Sequence, residues 1–123
     1  MSGYQTPEDI QTVPQLVALA PTEAKAFLAF NHACARGDGV VPPKYRELIS
    51  LAVALTTQCA YCLDVHTAAA AKAGATREEL AEVAMIAAAV RAGGTLAHAL
   101  LALRLFERHA TSCQSGDNKE PSA

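Results

Sequence analysis

The sequence predicts an all-α fold. Gly and Pro number only 7 and 6 of the 123 residues, and alanine is frequent, so long segments lack helix breakers. Strand-favouring residues never gather into the alternating runs that indicate strands. Apolar residues instead recur at spacings of three and four, which is typical of amphipathic helices. A chain of this length forms one domain with a hydrophobic core, and we predict a small helical bundle.

The first third of the chain is predicted to contain an arm and two helices. Residues 1–12 are polar and show no periodicity, so we expect a flexible arm. A short helix over 13–19 is followed by a second over 21–35, and Pro21 separates the two. The apolar stripe of the second helix, which we expect in the core, consists of Phe27, Phe30 and Cys34.

Two further helices are predicted in the middle of the chain. One covers 43–55, with a proline in its first turn, where a missing N–H is no loss. The next covers 59–73, with Thr57 or Gln58 near its N-cap and Gly74 as its left-handed stop. The stripe expected to be buried on the earlier helix consists of Leu48, Leu51, Ala52 and Leu55.

The clearest helix start on the chain is a capping box at Thr76-Arg77-Glu78-Glu79. We expect that helix to run to about Arg91, and the pair Gly93-Gly94 to end it. A last helix over 95–110 is apolar nearly all round until Arg104. A helix without a polar face is buried on every side, which in so small a domain indicates subunit contacts.

These elements define three segments. The flexible arm is 1–12, the helical domain is 13–110, and 111–123 is rich in small, polar and charged residues and is expected to be a disordered tail. The apolar last helix leads us to expect a homo-oligomer.

Charge and hydropathy exclude several classes of function. A net charge of −2 and a pI near 6.0 give no basic surface for nucleic acid. The most apolar stretches, 83–90 and 96–103, are shorter than the roughly 20 residues that span a bilayer. The first basic residue is Lys25, so no basic region of a secretory signal is present. We expect a cytoplasmic protein without membrane contact, where a Cys-x-x-Cys pair is redox-active or binds metal.

One helical face is predicted to carry two thiols and an imidazole. On a helix, Cys59 and Cys62 lie about 60° apart around the axis. Cys62 and His66 are an i, i+4 pair and hence neighbours. Cys59 and His66 are two turns apart on the same stripe.

This face suits thiol chemistry. A helix N-terminus lowers a thiol pKa, which favours Cys59 most, while His66 can take the proton of Cys62 and return it to a leaving group. The second thiol then resolves a sulfenic acid into a disulfide. If the preceding helix packs here, Glu47 orients His66 and stabilises its charge.

Other interpretations remain open. Cys-x-x-Cys occurs by chance in alanine-rich helices, and Glu47 is equally well a solvated helix residue. Zinc held by both cysteines, His66 and Glu47 or water is the main chemical rival, although structural zinc usually takes two separated ligand pairs. Tyr61 is a candidate to wall the site or donate a hydrogen bond. His98 is more typical of a buried histidine whose hydrogen bonds are satisfied within the core. Its alternative role is to line an access channel.

These residues resemble the carboxymuconolactone decarboxylase superfamily, and within it the alkylhydroperoxidase D-like proteins. The resemblance covers about 13–106. Its signature is Glu47, eleven residues, Cys59-Ala60-Tyr61-Cys62, three residues and His66, flanked by the similar segments 43–49 and 74–76.

The resemblance implies an all-helical fold that assembles into trimers or hexamers, and it implies hydroperoxide reduction. Cys62 would be the peroxidatic thiol, Cys59 the resolving thiol, and Glu47 with His66 a proton relay. The best-known family pattern has a histidine where this chain has Tyr61, which implies a shorter relay. Decarboxylases of the superfamily typically lack the cysteine pair.

We therefore predict a redox dithiol enzyme that reduces a hydroperoxide with electrons from a dithiol protein or a small thiol. No organic cofactor is implied, since sulfur carries the electrons and no Gly-rich phosphate loop is present. The rivals are a decarboxylase-like, non-redox enzyme, a redox-sensing or zinc-holding module, and a scaffold with a vestigial site.

Overall fold

The computed structural model describes residues 3–116 and shows helices but no strand in that range. The all-α prediction is confirmed. A 3-10 helix at Pro7–Thr12 precedes five α-helices: α1 (Val13–Leu19), α2 (Pro21–Cys34), α3 (Pro43–Thr57), α4 (Ala60–Lys72) and α5 (Arg77–Gly116).

The core lies between α3 and α4. Leu51 is completely buried, and Leu48 and Ala70 are nearly so. Leu63 of α4 and Leu80 of α5 pack against this cluster. Burying these side chains removes apolar surface from water, which holds α3 and α4 together and so positions the residues on their facing sides. Leu55, which was predicted to be buried as part of the α3 stripe, is exposed, and Ala54 is buried instead.

The helix starts follow the local sequence. Pro43 occupies the first turn of α3 as predicted. The capping box before α5 is present in both directions: Thr76 N–H donates to Glu79 Oε1 at 3.0 Å, and Glu79 N–H donates to Thr76 Oγ1 at 3.1 Å. Gly74 has φ +89°, the left-handed conformation expected of a glycine that follows a helix.

One predicted boundary is wrong. The two glycines at 93 and 94 do not end a helix, because α5 continues through them to Gly116. A glycine inside a helix weakens it by about 1 kcal/mol relative to alanine, and the good helix formers on both sides outweigh that loss. Both glycines are flanked by open space.

Both predicted terminal segments contain helix. Pro7–Thr12 forms a 3-10 helix, because Thr6 and Asp9 make a capping box that supplies partners for its first N–H groups. At the other end α5 includes residues 111–116 of the predicted tail. The remainder of that tail lies outside the described residues.

The chain divides into two compact units, one up to Ala87 and one from Ala88. In the first unit, several apolar side chains expected in the core are exposed, including those of Phe27, Phe30 and Cys34. An amphipathic stripe identifies a face that avoids water, but not the molecule that covers it.

In the part of the second unit that the structure describes, residues 88–116, the chain is a single helical segment, and its large apolar side chains are exposed to solvent. We predicted two separate helices here, each too short to span a bilayer. As one helix, Arg77–Ser115 is long and apolar enough to cross a membrane by length and composition alone. Core helices of soluble proteins meet the same criterion.

Candidate functional site

The candidate site begins at the joint between α3 and α4. Gln58 ends α3 in the left-handed conformation, with φ 57° and ψ 45°. The turn continues through a hydrogen bond from Cys59 N–H to the carbonyl of Ala54 at 3.0 Å. Cys59 then has extended dihedrals and is itself the N-cap of α4, one residue beyond the position predicted from sequence. The joint therefore places the first thiol sulfur at the helix N-terminus.

Cys59 and Cys62 form a disulfide, with their Cα atoms 5.3 Å apart. The sulfur of Cys59 also accepts a hydrogen bond from the backbone N–H of Cys62 at 3.2 Å. Free N–H groups and the helix dipole at this position favour negative charge on a capping atom. Both residues are half-buried, so the pair is partly accessible.

Glu47 and His66 meet across the α3–α4 contact. His66 Nδ1 lies 2.6 Å from Glu47 Oε2, and the two side chains are 32% and 17% exposed. An ionised carboxylate only accepts hydrogen bonds, so Nδ1 carries the hydrogen and Nε2 of the neutral ring is the free acceptor. His66 is one turn after Cys62 on α4. The packing on which the sequence interpretation of Glu47 depended is thus present.

Tyr61 lies between the cysteines, and its hydroxyl is the donor of a hydrogen bond to the 3-10 helix. The hydroxyl donates to Asp9 Oδ2 at 2.6 Å and ties the 3-10 helix to the first turn of α4. This bond lowers the pKa of Asp9, helped by the backbone N–H of Thr6, and raises the pKa of Tyr61. A recess of about 80 Å³ lies beside Tyr61, between the two segments.

Sequence reasoning missed Asp9. The segment Thr6-Pro7-Glu8-Asp9 has the spacing of a capping box with Asp in the last position, and that signal predicts a helix start at this point. The partnership with Tyr61, 52 positions away, leaves no trace in local sequence.

The other candidates have local roles. His98 belongs to the second unit, where its Nδ1 lies 3.1 Å from the carbonyl of Gly94, one turn earlier on its own helix. Its exposed side chain contradicts the expectation of a buried histidine. Cys34 and Cys113 are exposed free thiols. Within residues 3–116, no three His, Cys, Asp or Glu side chains form a group suited to a metal ion.

The family model described as "Carboxymuconolactone decarboxylase family" matches residues 21–105. "Uncharacterized protein 4 in cox locus" of Paracoccus denitrificans is 39% identical over 82 residues, which are 67% of this chain and 73% of that protein. An uncharacterized protein of Cupriavidus necator is 36% identical over 95 residues, which are 76% of this chain and 84% of that protein.

A solved structure is also similar. It is the crystal structure of the apo form of a carboxymuconolactone decarboxylase family protein from Legionella pneumophila. The match has a TM-score of 0.63 and 33% sequence identity, and it covers 83% of this chain and 91% of the other.

Proposed function

Since the chain belongs to the carboxymuconolactone decarboxylase family, we propose that it is a thiol-dependent hydroperoxide reductase. Cys59 and Cys62 are its redox dithiol, and Glu47 with His66 is its proton relay. The observation that carries the proposal is the disulfide at the N-terminus of α4, one helical turn before the imidazole of the Glu47–His66 pair.

The first step oxidises Cys62. Its thiolate attacks one oxygen of the hydroperoxide, the O–O bond breaks, and the S–O bond of a sulfenic acid forms. The departing alkoxide takes a proton and leaves as an alcohol. His66 removes the thiol proton at Nε2 and returns it to the alkoxide. Glu47, 2.6 Å from Nδ1, stabilises the imidazolium between these transfers.

The second step uses Cys59. Its thiolate attacks the sulfenic sulfur of Cys62, the S–O bond breaks, and the oxygen leaves as water after protonation. One hydroperoxide and two thiols thus give one alcohol, one water and the disulfide. The N–H of Cys62 lies 3.2 Å from the sulfur of Cys59 and is placed to stabilise that thiolate before it attacks.

Return to the dithiol needs an external dithiol, either a reductant protein or a small thiol. Its thiolate attacks one sulfur of the disulfide, and the departing thiolate is the one with the lower pKa. The capped Cys59 is the better leaving group, so the mixed disulfide forms on Cys62. No organic cofactor enters this cycle. Reductants of this class are maintained in the cytoplasm, which we propose as the location.

Thiol replacement tests the proposal. We expect Cys62→Ser to abolish hydroperoxide consumption in the presence of a dithiol. Cys59→Ser should accumulate a sulfenic acid on Cys62 that dimedone traps. Cys34→Ser and Cys113→Ser remove exposed thiols outside the site and serve as matched controls with unchanged turnover.

The result also separates the rival functions. Full turnover by Cys62→Ser would contradict the assignment of the nucleophile. A reaction that survives loss of both cysteines would indicate a non-redox enzyme in the same pocket. Stoichiometric oxidation without turnover would indicate a redox sensor.

A further inference from the structure

A small recess adjoins the two residues that separate the cysteines. Ala60 and Tyr61 form one wall of it together with Asp64, one turn further along α4. The opposite wall consists of Gln5, Thr6 and Pro7. The Tyr61 hydroxyl donates to Asp9 and so holds the two walls together. The recess has a volume of about 80 Å³, whereas small-molecule pockets start at roughly 300 Å³, so it suits the end of a single side chain.

The recess has a free carboxylate at its side. Asp64 is exposed, and among the described residues its carboxylate has no hydrogen-bond or ion-pair partner. Aspartate side chains at exposed positions are ionised at neutral pH. A second carboxylate, that of Asp9, lies close by, where the hydrogen bond from Tyr61 holds its pKa below the usual value. Negative charge therefore flanks Tyr61, the residue next to Cys62.

No basic residue neutralises this charge. The segments that meet here, 3–12 and 47–71, contain four acidic residues and neither Lys nor Arg. Lys44 and Lys72 lie at the opposite ends of α3 and α4, about 18–20 Å along the helix axes. Salt screens charges over about 8 Å at physiological ionic strength. Lys25 belongs to α2, which packs on α1. A molecule that approaches the disulfide therefore meets negative charge.

The proposed catalytic cycle requires such an approach. A thiolate of the external dithiol attacks the sulfur of Cys62, and Cys59 leaves as a thiolate. The second external thiol then attacks the mixed disulfide and releases Cys62, so the external dithiol ends as a disulfide and both cysteines are reduced. The reductant must lie over the first turn of α4, beside the recess. Glutathione suits this surface poorly, because it is a monothiol with a net negative charge.

From this arrangement we infer that the reductant of Cys59 and Cys62 is a dithiol protein that places a basic side chain in the recess, where it pairs with Asp64. The inference rests on the proposed function and names the partner of the same site. A polypeptide can carry a thiol to the disulfide and a cation to the recess at once. The positive potential of the helix N-terminus falls off within the first turn, so it favours the departing Cys59 thiolate and leaves Asp64 to attract the cation.

The experiment follows the reduction of the oxidised, full-length protein by three synthetic dithiol peptides. All contain Cys-Gly-Pro-Cys, and they differ only in the two flanking residues, which are lysine, glutamine or glutamate. Acid quenching and mass spectrometry give the rate at which the Cys59–Cys62 disulfide is lost. Each rate is expressed per peptide thiolate, because the flanking charge also changes the thiol pKa. The series is measured at salt concentrations of about 0.01 M and 1 M.

We expect the lysine peptide to reduce the wild type about two- to fivefold faster than the glutamine peptide at low salt, the effect of one exposed ion pair. The glutamate peptide should be slowest, and the differences should disappear at high salt. Asp64→Asn should abolish the preference for lysine. Glu78→Gln, which removes an exposed carboxylate in the first turn of α5, is the matched control and should retain it.

Four outcomes would overturn the inference: equal rates with the lysine and glutamate peptides, a lysine preference that survives Asp64→Asn, an equal loss of preference in Glu78→Gln, or faster reduction per thiolate by glutathione than by the lysine peptide. If Asp64→Asn does not fold, Gln5→Lys replaces it, since a cation on the opposite wall should abolish the preference in the same way.

These rates are measured without peroxide, which separates this inference from the proposed function. A protein that shows the lysine preference but consumes no hydroperoxide would contradict only the proposed function. An active peroxidase that all three peptides reduce at equal rates would contradict only the inference about its reductant.

Discussion

His66 Nδ1 and Glu47 Oε2 are separated by 2.6 Å and by 19 positions of sequence. The bond crosses the contact between α3 and α4, which the buried Leu51 maintains. The orientation and tautomer of the imidazole therefore depend on how the two helices pack. In the proposed relay, Nε2 is the nitrogen that exchanges protons, one turn from Cys62.

The charge of Glu47 is the first test of this relay. Glu47→Gln keeps an acceptor for Nδ1–H but removes the charge that stabilises imidazolium. We expect slower oxidation of Cys62 and an altered dependence of its rate on pH. His66→Asn removes the proton carrier itself and should slow the step by about 10²–10⁴-fold, the usual contribution of general acid–base catalysis.

Stopped-flow measurement of single-turnover oxidation gives both rates. Glu23→Gln, in the first turn of α2, is a matched control with an unchanged rate. A Glu47→Gln protein with the wild-type rate and pH profile would show that the pair is structural.

The bond between Tyr61 and Asp9 should hold the 3-10 helix against α4. Tyr61→Phe removes the donor, so we expect faster amide hydrogen exchange over residues 7–12. Tyr4→Phe, a change at a fully exposed tyrosine, should leave exchange unchanged.

The same bond should depend on pH. The pKa of Asp9 is held below its ordinary value of 3.8, so the bond contributes stability above that pH and loses it as pH falls through the lowered pKa. The pKa of Tyr61 is raised above 10.0, so this contribution is present below that pH and is lost as pH rises through the raised pKa. Equal exchange in wild type and Tyr61→Phe at neutral pH would contradict the prediction.

The continuity of α5 is testable at its two glycines. Apart from the adjacent residues and the backbone of its own helix, a Cβ at Gly93 or Gly94 meets no atom within 4 Å. Each replacement by alanine should therefore stabilise the helix by about 0.5–1 kcal/mol. Gly74→Ala is the contrasting variant, because its φ of +89° disfavours a side chain, and it should destabilise.

Chemical denaturation at fixed protein concentration measures these changes. If Gly93→Ala and Gly94→Ala destabilise as Gly74→Ala does, the chain turns at the glycine pair and α5 is two helices.

The core prediction concerns Leu51. Its side chain is completely buried, so Leu51→Ala should lower the free energy of unfolding by about 2–5 kcal/mol. Leu16→Ala, at an exposed leucine of α1, should change it much less. Similar losses in the two variants would mean that Leu51 is not at the centre of the core.

The sequence predicts which candidate residues lie together on one helix better than it predicts contacts between helices. Cys59, Cys62 and His66 are close in sequence, so helical periodicity alone relates them. Glu47 was expected to contact His66 only if its helix packed against the cysteine helix, and periodicity cannot supply that packing. Asp9 was missed because its partner is 52 positions away and a polar pair leaves no periodic signal.

Two errors have a common cause. The helix break expected at Gly93 and the core position expected for Cys34 were both inferred from local sequence. Neighbouring helix formers override a glycine pair, and an apolar stripe shows that a face needs cover without showing whether its own chain provides it.

The most direct test of the redox function is mass spectrometry of the reduced, metal-free protein after one equivalent of an organic hydroperoxide. We predict rapid loss of two hydrogens, and peptide mapping should assign it to a disulfide between Cys59 and Cys62. Sluggish oxidation, or oxidation at Cys113 in place of this pair, would contradict the proposal.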